Sequence, residues 1–91
     1  MVTAIVLIEA ETNRIPALAE QIVNMDGVQE VFSVAGRHDL VAIVKVPRNE
    51  DLADVISDKM RHLDGIVATE TMIAFRAYSK QELEAGFELG L

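Results

Sequence analysis

The chain has 91 residues, a formal net charge of -7 and no cysteine. That length allows one small domain, and an apolar fraction of 51% disfavours disorder. The acidic balance argues against direct contact with nucleic acid or an anionic membrane, and the missing cysteines exclude disulfides and thiolate metal sites. We find neither a signal peptide nor a membrane-spanning run, and therefore expect a cytoplasmic protein.

The first part of the chain predicts a strand followed by a helix. Residues 4–8 form a β-branched apolar run that is too short for a helix. Apolar residues at helical spacing then predict a helix with Pro16 in its first turn and Thr12 or Asn13 as its cap. The turn signal Asp26-Gly27 ends this helix.

The rest of the domain repeats the alternation of strand and helix. Strands over residues 28–35 and 40–46 flank a turn that begins at Gly36, and Pro47 ends the later strand. A fourth strand over residues 67–77 follows the second Asp-Gly stop, at Asp64-Gly65. Between these strands, one helical face carries the apolar residues Leu52, Val55, Ile56, Met60 and Leu63.

The two Asp-Gly stops, at residues 26 and 64, lie thirty-eight positions apart and relate two βαβ units. We therefore predict an α+β, ferredoxin-like βαββαβ fold, in which a four-stranded antiparallel sheet has both helices on one face. Chance similarity between two βαβ units is the alternative. The offset aligns Val6 with Val44, Ile8 with Val46, Leu18 with Ile56, Ile22 with Met60 and Val28 with Ile66.

Both faces of the predicted sheet are apolar, whereas two helices can cover only one of them. In the first strand Ile5 and Leu7 alternate with Ala4, Val6 and Ile8; in the third, Val41 and Ile43 alternate with Leu40, Ala42, Val44 and Val46. The uncovered face needs a partner, and the simplest partner is a second copy packed sheet to sheet about a two-fold axis. The pattern therefore predicts an obligate homodimer.

The C-terminal residues 79–91 form a tail with its own helix signal. Ser79 and Glu82 have the spacing of a capping box, and Leu83 and Phe87 are spaced for one helical face. We expect a short helical tail that docks on the domain of residues 1–78 or reaches a neighbouring subunit; fraying is the alternative.

A search for catalytic groups finds no nucleophile elbow and no glycine-rich phosphate loop. His38 and His62, each close to an aspartate, lack the spacing of known zinc motifs. His38 is then a solvated turn residue, and His62 lies favourably near a helix C-terminus. We expect no catalytic residue, metal or cofactor.

The turn at residues 36–39 is the best candidate for a binding site. Gly36 permits a backbone conformation that other residues resist. Asp39 enters an apolar strand, where its carboxylate either caps backbone amides or receives a ligand ammonium. Thr69 and Thr71 alternate on the last strand, so their hydroxyls share one face and could bind a small zwitterion; the alternative is a strand of ordinary β-formers.

These features together resemble one known module over residues 2–78. They are the G-x-x-D turn at 36–39, the stop Leu63-Asp64-Gly65-Ile66, and Thr69-x-Thr71. The chain is similar to the RAM (regulation of amino acid metabolism) domain, the C-terminal effector domain of Lrp/AsnC transcription regulators. The resemblance implies a sheet-to-sheet dimer, rings of dimers, and amino acids bound in clefts between dimers.

By the same resemblance, Gly36, Arg37, His38, Asp39, Thr69 and Thr71 are expected to contact or tune the ligand. Full-length regulators begin with a helix-turn-helix domain, whereas here Met1 almost adjoins the first strand, so we expect a stand-alone form without DNA binding of its own. It would sense amino acids or join full-length relatives in mixed oligomers. Two rival hypotheses are a ferredoxin-like dimeric enzyme (a small oxygenase or isomerase) and an assembly module that binds no ligand.

Overall fold

Four strands and two helices follow one another in the order βαββαβ in a computed structural model that describes residues 1–80. The strand order β2-β3-β1-β4, with every neighbouring pair antiparallel, confirms the predicted ferredoxin-like arrangement. The elements are β1 (Val2–Ala10), α1 (Ile15–Val23), β2 (Val28–Ser33), β3 (Leu40–Val46), α2 (residues 49–62) and β4 (Ile66–Ala74).

The strand boundaries differ from the prediction where pairing, rather than composition, decides them. β3 has the predicted bounds because Pro47 has no N–H with which to continue the ladder. β1 is two residues longer at each end because its first residues pair with the end of β3 and its last residues pair with β4. β2 stops at Ser33 and β4 at Ala74, each before the predicted end.

The predicted cap of α1 is wrong. The chain enters this helix through a 3-10 turn at Thr12–Arg14, and within residues 1–80 no side chain caps either segment. The Arg14 N–H instead donates to the Glu11 carbonyl at 2.8 Å. Pro16 does lie in the first turn of the helix, where the absent N–H costs nothing.

The second helix changes its winding along its length. An α-helical turn at Asn49–Leu52 begins where the Arg48 N–H donates to Asp51 Oδ2 at 3.2 Å. The helix then widens to a π-helix over Ala53–Lys59 and ends in a 3-10 turn at Met60–His62. The apolar spacing predicts a helix here but contains no signal for the π segment, a form that is rare at such length.

The core lies between the helices and one face of the sheet. In four of the five pairs that the thirty-eight-position offset aligns, both residues are buried: Val6 and Val44 are fully buried, as are Ile22 and Met60, whereas Ile66, the partner of Val28, is only partly buried. The repeat therefore describes two halves that contribute equivalently to one core. Its buried members are Ala4, Val6, Ile8, Ala10, Leu18, Ile22, Val28, Leu40, Ala42, Val44, Val46, Leu52, Val55, Ile56 and Met60.

The opposite face of the sheet, which we call the open face, has no helix over it. Its centre is apolar: Ile5, Leu7, Val41 and Ile43 are half-buried, and Phe32, Val34 and Met72 are exposed. Its charged members, Glu9, Glu30, Lys45 and Glu70, include strand-end positions and residues of the edge strands β2 and β4. An apolar centre with a charged rim is typical of a protein interface.

The described residues end just after the predicted domain boundary at residue 78. Glu82, Leu83 and Phe87, on which the predicted tail helix depends, lie outside them. Within residues 1–80, no helix is long and apolar enough to cross a bilayer.

Candidate functional site

The turn between β2 and β3 is held in place by backbone hydrogen bonds at both ends. The Val34 N–H donates to the Asp39 carbonyl at 3.0 Å, which closes the turn. The Asp39 N–H donates to the Ile8 carbonyl at 2.8 Å, which ties the turn to β1. Gly36 has a φ of +140°, in the region that favours glycine. The turn is therefore fixed against the end of β1.

The side chain of Asp39 adds a further link to β1. Its Oδ2 accepts a hydrogen bond from the Ala10 N–H at 2.9 Å in a partly buried setting. The register between β1 and β4 shifts between Glu9 and Ala10, so the ladder alone is irregular there. This contact is backbone capping, one of the two roles that the sequence leaves open for Asp39.

A cavity of about 290 Å³, which we call the turn cavity, lies beside this turn. Its charged and imidazole side chains come from three separate segments, because β1, β4 and the turn meet at one corner of the sheet. His38 Nε2 lies 3.8 Å from Glu70 Oε2, an ion pair only when the imidazole is protonated. The lining residues are Glu9, Arg37, His38, Ala68, Thr69 and Glu70.

A second cavity of about 560 Å³, the helix cavity, lies between α2 and β4. Ser57 from the π segment and Arg61 face β4 across it. Thr69 and Thr71 pair with Ile8 and Val6, which places both threonines on the helix side of the sheet and confirms that they share one face. Thr69 borders both cavities, and Thr71 borders only this one.

The structure thus separates the six residues predicted from the sequence. Arg37, His38 and Thr69 line the turn cavity, and Thr71 lines the helix cavity. Gly36 and Asp39 line neither, and both shape the turn. Among residues 1–80 no group of three or more histidines and carboxylates is placed to hold a metal ion.

Sequence reasoning misses four polar residues that line these cavities: Glu9, Glu70, Ser57 and Arg61. The sequence by itself indicates only a solvated strand-edge residue at Glu9. The pairing of β1 with β4 is what brings it to the same corner as Glu70. The alternation of polar and apolar residues along each strand shows which face a carboxylate occupies, but not which strands are neighbours.

A family model described as the Lrp/AsnC ligand binding domain matches residues 3–83. The chain belongs to this family. The match covers the described fold except for the first residue of β1, and it confirms the resemblance that the turn and the Thr-x-Thr strand indicate. The curated proteins similar to this chain include HTH-type transcriptional regulators. One is the uncharacterized PH1916 of Pyrococcus horikoshii, which is 40% identical to this chain over 58 residues.

That alignment covers 64% of this chain and 39% of the relative, so the chain corresponds to well under half of such a regulator. The solved structure of TTHA0845 from Thermus thermophilus is 46% identical with a TM-score of 0.83, covering 88% of this chain and 100% of that one. A feast or famine regulatory protein (Rv3291c) from M. tuberculosis, solved in complex with L-methionine, is 26% identical with a TM-score of 0.68. There the alignment covers 89% of this chain and 55% of the other.

Proposed function

We propose that this Lrp/AsnC domain binds a free amino acid in the turn cavity and works as an oligomeric, cytoplasmic regulatory module. Two findings support a small effector: the family's domain is a ligand-binding one, and the related M. tuberculosis protein was solved with L-methionine. The module would act in transcriptional regulation, either as a sensor alone or in mixed oligomers with full-length relatives. It would itself be neither an enzyme nor a nucleic-acid-binding protein.

The observation that carries this proposal is the presence of two opposite charges, each without an ion-pair partner among the described residues, in the turn cavity. Arg37 and Glu9 both line it, and neither forms an ion pair within the described part of the chain. A free amino acid carries a carboxylate and an ammonium on the same carbon atom. Charge-assisted hydrogen bonds from these two groups to Arg37 and Glu9 would therefore satisfy all four charges at once.

The other predicted residues receive different roles in this proposal. His38 offers a further hydrogen bond to the ligand, and Thr69 borders the cavity from a position on the helix side of the sheet. Gly36 and Asp39 keep the turn in place, so Asp39 acts as a positioning residue. Thr71 faces the helix cavity, where it is available to a ligand that extends past Thr69.

The open face supports the oligomeric part of the proposal. Its exposed apolar centre is costly in water, and the simplest cover is the same face of a second copy. The turn cavity lies at the rim of this face, since Glu9 and Glu70 belong to it. Dimers formed in this way would leave the turn available to contact a neighbouring dimer, which agrees with the ring of dimers that the resemblance implies.

Thermal unfolding of the purified protein with each common amino acid tests the proposal. A ligand that binds only the folded state raises its stability by RT ln(1 + [L]/Kd), about 2.7 kcal/mol at one hundred times Kd. For a domain of this size we expect the midpoint to rise by several degrees with one chemical group of amino acids. If no amino acid shifts the midpoint at millimolar concentration, the sensor is excluded and the ligand-free assembly module becomes the better account.

A further inference from the structure

We infer that the turn cavity selects amino acids whose side chain is positively charged. This inference rests on the proposed function and adds the chemical class of the ligand. Its basis is the charge balance among the lining residues, which a neutral zwitterion does not complete. Two carboxylates, Glu9 and Glu70, face one permanent cation, Arg37, with His38 beside them.

The main-chain groups of any amino acid use only part of this set. Its carboxylate pairs with the Arg37 guanidinium, and its ammonium pairs with one of the two glutamates. The second glutamate then keeps a negative charge next to the bound ligand. A side-chain ammonium or guanidinium would neutralise it, whereas a side-chain carboxylate would be repelled.

Strand pairing places the two glutamates within reach of a single ligand. Glu9 of β1 is paired with Ala68 and Glu70 of β4 with Leu7, so both carboxylates are on the open face in diagonal positions. Such diagonal positions are separated by roughly 7–8 Å, which long side chains can bridge. A short molecule with an amino group at each end fits this separation better than one with a single amino group.

The contact between His38 and Glu70 does not remove the excess charge. At 3.8 Å the imidazole is beyond hydrogen-bonding distance, and it contributes a charge only when protonated. The Glu70 side chain is 66% exposed and so is free to turn toward a ligand. Within residues 1–80 the Glu9 carboxylate has no ion-pair partner, so the ligand displaces no pair there.

Isothermal titration of the full chain with L-lysine, L-norleucine and L-glutamate tests this selection. Norleucine keeps the carbon chain of lysine and lacks its terminal ammonium, so comparing the two affinities isolates the effect of the side-chain charge. At about pH 8 we expect lysine to bind at least about ten-fold more tightly than norleucine, and glutamate most weakly. Equal affinity for lysine and norleucine would overturn the selection while leaving amino-acid binding intact; no binding of any of the three, or of the remaining amino acids, would overturn the proposed function itself.

Variants then test whether these carboxylates cause the preference. One of the two variants Glu9→Gln and Glu70→Gln should lower the affinity for lysine alone by about ten-fold. The other variant removes the glutamate that pairs with the ligand's main-chain ammonium, and it should lower the affinity for both lysine and norleucine. Glu11→Gln is the matched control, because it removes the same charge from the same stretch of chain outside the turn cavity. A lysine preference that survives both cavity variants, or that falls equally in Glu11→Gln, would show that the overall charge of -7 attracts the cation non-specifically.

Discussion

Asp39 lies where the turn, β1 and β3 meet, and its carboxylate oxygen is the acceptor for the Ala10 N–H. Asp39→Ala would leave that partly buried amide without its partner. We expect the free energy of unfolding to fall by about 1–2 kcal/mol, measured by urea denaturation. Asp39→Asn keeps an oxygen acceptor of the same reach, so its stability should stay within about 0.5 kcal/mol of the wild type.

The asparagine variant also separates the two roles that the sequence leaves open for Asp39. If the residue positions the turn, Asp39→Asn should bind the same amino acid with an affinity close to that of the wild type. If the carboxylate instead contacts the ligand ammonium, the variant should lose at least about ten-fold in affinity while remaining stable. Titration of the stable variant distinguishes the two outcomes.

The sequence predicts the residues of one local segment better than those that long-range pairing assembles. Arg37 and His38 follow a turn glycine and are found together at the turn cavity. Glu70 reaches the same place only through the register of β4 against β1. No local pattern in the sequence contains that register, because the alternation along a strand does not show which residue of a neighbouring strand lies opposite.

At the scale of elements, two turn glycines with positive φ allow a controlled comparison. A Cβ on Gly65 would lie 2.7 Å from Arg14 Cβ, whereas a Cβ on Gly36 would meet nothing within 4 Å. Both substitutions strain the backbone, but only Gly65→Ala also pushes the loop before β4 away from the start of α1. We expect Gly65→Ala to cost about 1–2 kcal/mol more than Gly36→Ala, measured as the free energy of unfolding. If the two substitutions lower the free energy of unfolding equally, backbone strain alone accounts for the loss and Arg14 moves aside freely.

The same junction explains why the predicted start of α1 is wrong. Thr12 is a good cap in isolation, yet the preceding residue, Glu11, donates its N–H to the Gly65 carbonyl at 2.8 Å. That contact holds the chain extended at Glu11 and leaves a 3-10 turn as the entry to the helix. By contrast, the predicted end of β3 is correct because the covalent structure of Pro47 sets it, and no distant contact is involved.

For the whole molecule, the proposed dimer depends on the open face. Its apolar centre includes half-buried Ile43 on β3 and exposed Phe32 on β2, while the core uses the other side of the same strands. A charge placed at residue 43 should therefore disrupt a sheet-to-sheet dimer without entering the core. Lys45, exposed on the same face and strand, provides a control at the rim.

We expect sedimentation equilibrium to give the wild type a mass that is an even multiple of 10.0 kDa. Ile43→Glu should sediment as a 10.0 kDa monomer that still unfolds cooperatively, because burying an unpaired carboxylate between two sheets costs several kcal/mol. Lys45→Ala, which removes only a solvated charge, should keep the wild-type mass. A wild type that sediments as a monomer, or an Ile43→Glu variant that keeps the oligomer, would show that the open face is not the interface. The same measurement, repeated with the amino acid found by thermal unfolding, tests whether the ligand joins dimers. If the ligand links dimers, it should produce a larger assembly in the wild type and none in Ile43→Glu.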